Sequence, residues 1–200
     1  MSTSAKKNID TLKNLLKEDE NIKYLDEVAI SLNSKSIFFN HFQEYKLSSY
    51  APRKAGVLKK IYESLNSPFL KPTKENLEFI HNRLHPGCKI LIIGSGTIGH
   101  GTLTFYNQHH EDIIGTDVYY SPSVDLVADA HFLPFKDEQF DLVIIQAVLE
   151  HVLYPQQVVA EIFRILKQKG MIYVETPFLQ HVHERNYDFT RFTHSGHRLL

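Results

Sequence analysis

The chain has 200 residues, 42% of them apolar and 22% charged, with a formal net charge of −1. That balance suits one globular domain with a modest appendage and excludes a disordered chain, and no basic excess points to nucleic acid. The single cysteine, Cys88, excludes an internal disulfide and a cysteine-based zinc cluster. The N-terminus has no signal-peptide core, and no run approaches the ~20 apolar residues of a membrane span, so a cytoplasmic protein is expected.

Residues 1–72 read as a helical appendage, and residues 73–200 as the main domain. Ile9, Leu12, Leu15 and Leu16 mark one face of a first helix. Val57, Leu58, Ile61 and Leu65 mark a second, over Lys54 to Leu65, and Asn66 to Pro72 reads as a linker. The appendage packs on the main domain in one reading and caps a substrate site in another. Thr73 then caps a helix carrying Leu77, Ile80 and Leu84, which Pro86-Gly87 stops. Cys88 precedes the first strand, Lys89 to Ile93, and reads as a small buried residue. After the glycine turn comes a weak helix, then strands over Asp112 to Thr116 and Asp125 to Ala128. Phe140 to Gln146 is a continuous apolar run, as a strand buried on both faces requires. Pro155 opens a helix with Val158, Val159, Ile162 and Leu166 on one face, Gly170 ends it, and the fifth strand begins at Met171. Alternating strands and helices predict an α/β, Rossmann-like, doubly wound parallel sheet of five strands.

On such sheets ligands bind at the carboxyl ends of the strands. The first strand runs into Gly94, Gly96 and Gly99, a turn that lets a ligand approach the backbone. The same turn serves NAD, FAD and S-adenosylmethionine. Asp117 ends the second strand, where an acid accepts hydrogen bonds from a ribose diol; the other reading of Asp117 is a turn residue. Asp129 follows the third strand, within reach of an adenine amino group, and Leu133, Pro134 and Phe135 form an apolar turn able to wall a base. No Lys or Arg stands between Lys89 and Lys136, which suits a cationic sulfonium better than a pyrophosphate.

The ordered set Asp129-Ala130, Leu133-Pro134-Phe135, Phe140-Asp141-Leu142-Val143, Leu149-Glu150-His151 and Glu161-x-x-Arg164-x-Leu166-Lys167 resembles the class I S-adenosylmethionine-dependent methyltransferases. The likeness is greatest to their small-molecule branch, which resembles the ubiquinone/menaquinone methyltransferases. It covers about Lys89 to Phe178. It implies a transferase that takes S-adenosyl-L-methionine and methylates a small molecule, lipid or glycan. It implies cofactor contacts from Gly94, Ser95, Gly96, Thr97 and Gly99, from Asp117 and Val118, from Asp129 and Ala130, and from Gln146. The family's acid two residues before the first glycine is replaced by Ile92, which removes one anchor for the methionine amino group. The third glycine is displaced to Gly99, giving the spacing that dinucleotide enzymes use. A catalytically impaired partner protein and an NAD-dependent oxidoreductase are therefore the competing readings.

His151 is the candidate base for an acceptor that must lose a proton, and a loop-fixing role is its alternative. The tail resembles a subset of these enzymes that carries Pro177-Phe178, His183-Glu184 and Tyr187-Asp188-Phe189-Thr190-Arg191-Phe192-Thr193. In one reading His183, Tyr187 and Arg191 contact the substrate; in the other an Asp188–Arg191 ion pair fastens a loop. No metal site is expected from His181-x-His183-Glu184. The family's sheet has seven strands, two of them after the fifth. The resemblance thus implies that the C-terminal strands are missing here, leaving an edge on the fifth strand that invites self-association or is covered by Gln180 to Leu200 or by the appendage.

Overall fold

The computed structural model describes residues 9–18, 21–25, 28–31, 35–36, 71–98, 102–182 and 187–200. Among these residues seven strands form one sheet: β1 (Ile22–Leu25), β2 (Val28–Ser31), β3 (Ile90–Ile93), β4 (Ile113–Asp117), β5 (Leu126–Val127), β6 (Phe140–Gln146) and β7 (Leu166–Glu175). Their order is β1-β2-β5-β4-β3-β6-β7, antiparallel between β1 and β2 and parallel elsewhere. The helices are α1 (Ile9–Leu15), α2 (Lys71–His81), α3 (Leu103–His109), α4 (Pro155–Ile165) and α5 (His194–His197).

Alternation along the strands sends side chains to two cores. Leu91, Ile93, Val143 and Ile145 face one side, where they meet Leu12, Leu15 and Leu16 at α1 and Val158, Ile162 and Ile165 of α4. Ile90, Ile92, Leu142 and Ile144 face the other, against Leu77 and Ile80 of α2 and Phe105 of α3. The chain leaves β3 for β4 and β5 on one flank, then crosses to β6 and β7 on the other. The direction of winding therefore reverses beside β3, and a crevice opens at its carboxyl end.

Five expected strands appear, and the sheet has two more. They come from residues 22–31, within the segment read as helical, and they extend the sheet beyond β5 through Ala29↔Leu126 and Ile30↔Val127. The hairpin's signal was present: two short apolar runs, IKYL and VAIS, separated by Asp26-Glu27. The helix expected over Lys54 to Leu65 lies outside the described residues, as does most of the linker. Lys71 and Pro72 form the first turn of α2 rather than linker, a position where proline costs no hydrogen bond. Thr73 does not cap that helix; its hydroxyl donates to Glu175 Oε2 at 2.9 Å. Gly170 does not end α4, which stops at Ile165. The glycine lies inside β7, where the pairing with β6 slips between Phe140 and Leu142. A Cβ on Gly170 would lie 3.0 Å from Lys167 O and 3.2 Å from Phe140 O, so the slipped segment favours glycine. Among the described residues β7 pairs only with β6.

Candidate functional site

β3 hands over to a turn at Gly94, which has φ +82°, where a side chain would be strained. A Cβ there would also meet Val148 Cγ2 at 2.2 Å. Gly94 N and Ser95 N both donate to Thr116 O, at 2.8 and 3.0 Å, which locks the turn against β4. Ser95 is buried and its hydroxyl also turns to Thr116 O, so its side chain serves the turn. Asp117 closes the arrangement. Its Oδ2 accepts from Gly96 N at 2.8 Å and its Oδ1 from Val118 N at 2.7 Å, with Tyr119 N adding a third donor. Burial nevertheless pushes its carboxyl up to about 6, against the pull of these N–H groups. The Tyr119 ring lies over Gly96, where a Cβ would come within 2.5 Å of it.

Beside this turn, in the crevice, is a pocket lined by Ile92, Gly94, Thr97, Tyr106, Ile144 and Gln146 among others. The Tyr106 hydroxyl is buried without a hydrogen-bond partner among the described residues. Burial raises its pKa, with the carboxylates of Asp125 and Asp117 adding to the shift. Gln146 Nε2 donates to Glu175 Oε1 at 3.1 Å, and Tyr173 Oη donates to Glu175 Oε2 at 2.5 Å. Burial and that carboxylate push the Tyr173 phenol up to about 12.

Asp129 and Ala130 follow β5 beside the end of β4, where Val127 pairs with Asp117 and Ala128 N donates to Asp117 O at 2.9 Å. Asp129 is 7% exposed and starts the 3-10 turn Ala130–Phe132. Its Oδ1 accepts from His131 N at 3.0 Å and from His131 Nδ1 at 2.6 Å, and its Oδ2 accepts from Ser36 Oγ at 2.6 Å. Burial raises the carboxyl's pKa, but these donors outweigh it and hold the group below its ordinary value. His131 Nε2 in turn accepts from Tyr154 N at 3.2 Å, so the ring carries its proton on Nδ1.

The apolar turn Leu133, Pro134, Phe135 does not wall a base. All three residues are buried, and the segment is tied to α1 by Lys17 N to Pro134 O at 2.9 Å and Lys136 N to Leu15 O at 2.8 Å. Arg164 holds the turn from the other side. Its guanidinium donates to Leu133 O, Phe135 O, both Glu161 oxygens and Asp137. Asp141 is likewise structural, accepting from Lys89 N at 2.8 Å and Lys167 Nζ at 2.7 Å.

His151, Tyr187 and Arg191 come together at the tail. His151 Nδ1 donates to Tyr187 O at 2.6 Å, and its Nε2 lies 3.8 Å from Oε1 of the fully buried Glu150. Phe189 N and Thr190 N donate to Glu150 O at 2.8 and 3.2 Å. Arg191 forms a two-point ion pair with Asp188, whose side chain is 2% exposed, and reaches three carbonyls of the chain. Gly99 and His183 lie outside the described residues. Tyr106, Thr102 and Tyr119 were missed from sequence. The faint signal for the first two was the short run TLTFY, one helical turn beyond the glycines.

Residues 91–174 match the family model of a methyltransferase domain. This part of the chain is methyltransferase-like. An uncharacterized protein of Methanocaldococcus jannaschii is 41% identical over 49 residues, 24% of this chain and 24% of that protein. The [4+2]-cyclase SpnF is similar in structure, with 26% identity and a TM-score of 0.42 over 50% of this chain and 43% of that one. A putative methyltransferase from Bacillus halodurans has 20% identity and a TM-score of 0.41 over 50% of this chain and 49% of that one. A putative S-adenosyl-L-methionine-dependent methyltransferase from Methanococcus maripaludis has 21% identity and a TM-score of 0.40 over 57% of this chain and 60% of that one. The chain thus spans about a quarter of the curated relative and less than half of the first two structures. No helix among the described residues is long and apolar enough to cross a membrane.

Proposed function

We propose that this chain binds S-adenosyl-L-methionine at the carboxyl ends of β3, β4 and β6 and transfers its methyl group to a small-molecule, lipid or glycan acceptor. The observation that carries this reading is the closure of the glycine turn by Asp117 beside a pocket where the Tyr106 hydroxyl is buried with no partner among the described residues.

The residues present fit such a cofactor. Gly94 and Gly96 let Val148 and Tyr119 pack directly on the turn, since a Cβ on either glycine would collide with them, and so bring the backbone beside the pocket that Gly94 lines. Asp117 has lone-pair capacity left for a ribose hydroxyl, because a carboxylate offers about four acceptor sites and three are used by backbone N–H groups. The Tyr119 ring supplies a flat apolar face for the base. Thr97, Tyr106 and Gln146 offer polar atoms toward the methionine end, and the site's acids, Asp117 and Glu175, favour a positive sulfonium. Ile92 stands where the family carries its acid and contributes an apolar floor instead.

When bound, the cofactor supplies an activated methyl group for in-line displacement. The protein's work is to orient the two reactants and exclude water, worth several kcal/mol when reacting atoms are held ~3–3.5 Å apart. The tail, held to the β6 loop through Glu150 and His151, stands on the acceptor side, with the 41%-exposed Tyr187 as a contact. Calorimetric titration with S-adenosylmethionine, its demethylated product and NADH tests the reading. Binding of the first two without the third is expected. Tight NADH binding with no response to the other two would overturn it in favour of an oxidoreductase. Cofactor binding without label transfer to any component of a cell extract would favour the impaired-partner reading.

A further inference from the structure

A second constellation lies at the opposite, amino-terminal end of the sheet. Cys88 stands two residues before β3, Asp112 one residue before β4, and His109 closes α3. Ile90 N donates to Asp112 O at 3.0 Å and Asp112 N to His109 O at 2.8 Å, so strand pairing and the turn after α3 fix the three residues side by side. One potential ligand atom from each of Cys88, His109 and Asp112 lies within 4.8 Å of the other two. His109 Nδ1 is 3.8 Å from Asp112 Oδ2. The other ring nitrogen, Nε2, is 2.8 Å from His81 Nδ1, on α2.

We propose that Cys88, His109 and Asp112 bind one zinc-like divalent ion, with His81 as the positioning residue behind His109. A tetrahedral ion with bonds of ~2.0–2.3 Å sets its ligands roughly 3.3–3.8 Å apart, which the 3.8 Å between His109 Nδ1 and Asp112 Oδ2 matches, and all three ligand atoms lie within 4.8 Å of one another. A ligating imidazole almost always gives its second N–H to a neighbouring acceptor, and His81 Nδ1 is placed to receive it. Thiolate, imidazole and carboxylate together select zinc over magnesium or calcium, which take oxygen ligands. Cys88 is 1% exposed, while the His109 and Asp112 side chains are 11% and 33% exposed, so the ion enters from the Asp112 side, where a water completes the fourth position. On binding, the Cys88 thiol releases its proton to solvent as the sulfur–metal bond forms, and no oxidation state changes. A single cysteine rules out an all-cysteine cluster but not this mixed site. The ion would tie α2, α3 and the starts of β3 and β4 together, away from the cofactor crevice.

The test is titration of the metal-stripped full chain with Co²⁺, followed by Zn²⁺. One ion per chain is expected, with a thiolate-to-cobalt charge-transfer band and tetrahedral d–d bands, displaced by one equivalent of Zn²⁺. Cys88→Ser should delete the charge-transfer band. Asp112→Asn, at the surface, should weaken Zn²⁺ at least tenfold without lowering the Tm of the metal-free chain, and His81→Ala should weaken it severalfold. The band and the Asp112 variant keep the test decisive even if the buried Cys88 variant does not fold. Absence of saturable binding would overturn the proposal. So would a cobalt spectrum without the thiolate band, or Zn²⁺ binding unchanged in Asp112→Asn, which the chain's 12 histidines could produce elsewhere.

Discussion

Asp117 Oδ2 accepts the backbone N–H of Gly96 at 2.8 Å, so the carboxylate proposed to hold a ribose also closes the glycine turn. The two readings of this acid, ligand and turn residue, are therefore one arrangement. Asp117→Ala removes a charge-assisted bond to the nucleoside, worth roughly 1.5–3 kcal/mol, and affinity for the demethylated cofactor should fall at least tenfold. It also strips Gly96 N and Val118 N of their acceptor, so thermal stability should drop as well. Titration calorimetry beside thermal melting checks both. Lowered stability with unchanged affinity would leave Asp117 as a turn residue alone.

The elevated carboxyl of Asp117 sets a pH dependence with two opposite signs. Its ordinary value is 3.8, and burial carries it to about 6 in the folded chain. Between those values the folded protein holds a proton that the unfolded protein has lost, so this group's contribution to stability falls as pH rises through the window. Cofactor affinity should move the other way, because only the ionised carboxylate makes charge-assisted bonds: it should rise from pH 5 and level off above about 7. Binding measured at several pH values decides this, and a flat profile would mean that Asp117 does not meet the ligand.

What was readable in the sequence follows from how much of each signal is local. β6 was read at its true limits, Phe140–Gln146, because a strand buried on both faces is a continuous apolar run. β1 and β2 were not, because four-residue strands flanked by charges resemble helix as much as strand until β5 is there to pair with. The motif residues were found, but the chemistry of several was not legible. Arg164 and Asp141 carry the family pattern yet serve the scaffold, binding Leu133 O, Phe135 O and Lys89 N, partners distant in sequence. Tyr106 has no motif around it, and only its burial beside Gly94 and Gln146 singles it out.

Arg164 spends its guanidinium on two carboxylates and two carbonyls at once, a planar fork that lysine cannot reproduce. Arg164→Lys should destabilise the fold by about 2 kcal/mol or more, since Leu133 O and Phe135 O lose their donor and Glu161 keeps only a point charge. Urea unfolding should show a lower midpoint at unchanged slope. An unaltered midpoint would mean that the turn is held by α1 alone.

The Asp188–Arg191 pair is buried on its acid side and spans three residues of the tail. If fastening is its work, Asp188→Ala and Arg191→Ala should each expose residues 187–192 to proteolysis to a similar degree, and the double variant should be no worse than the worse single one. If Arg191 meets the acceptor instead, Arg191→Ala should impair methyl transfer in cell extract, and Asp188→Ala should impair it less. Comparing the three variants in both assays separates the roles.

His151 carries the last prediction. Its Nδ1 donates to Tyr187 O at 2.6 Å, and its Nε2 faces Oε1 of Glu150 at 3.8 Å, so both nitrogens point at groups of the chain. Glu150 O in turn receives Phe189 N and Thr190 N. The imidazole is placed as a clasp between the β6 loop and the tail, which favours the loop-fixing reading over the base. A clasp predicts that His151→Ala speeds hydrogen exchange at the Phe189 and Thr190 amides, with no acceptor present, because both depend on the loop that His151 steadies. A base predicts no change in those amides, and instead the loss of a pH-dependent limb in methyl transfer. Exchange measured residue by residue on the full chain therefore distinguishes them before any acceptor is known. Unchanged protection at Phe189 and Thr190 would return His151 to the chemistry.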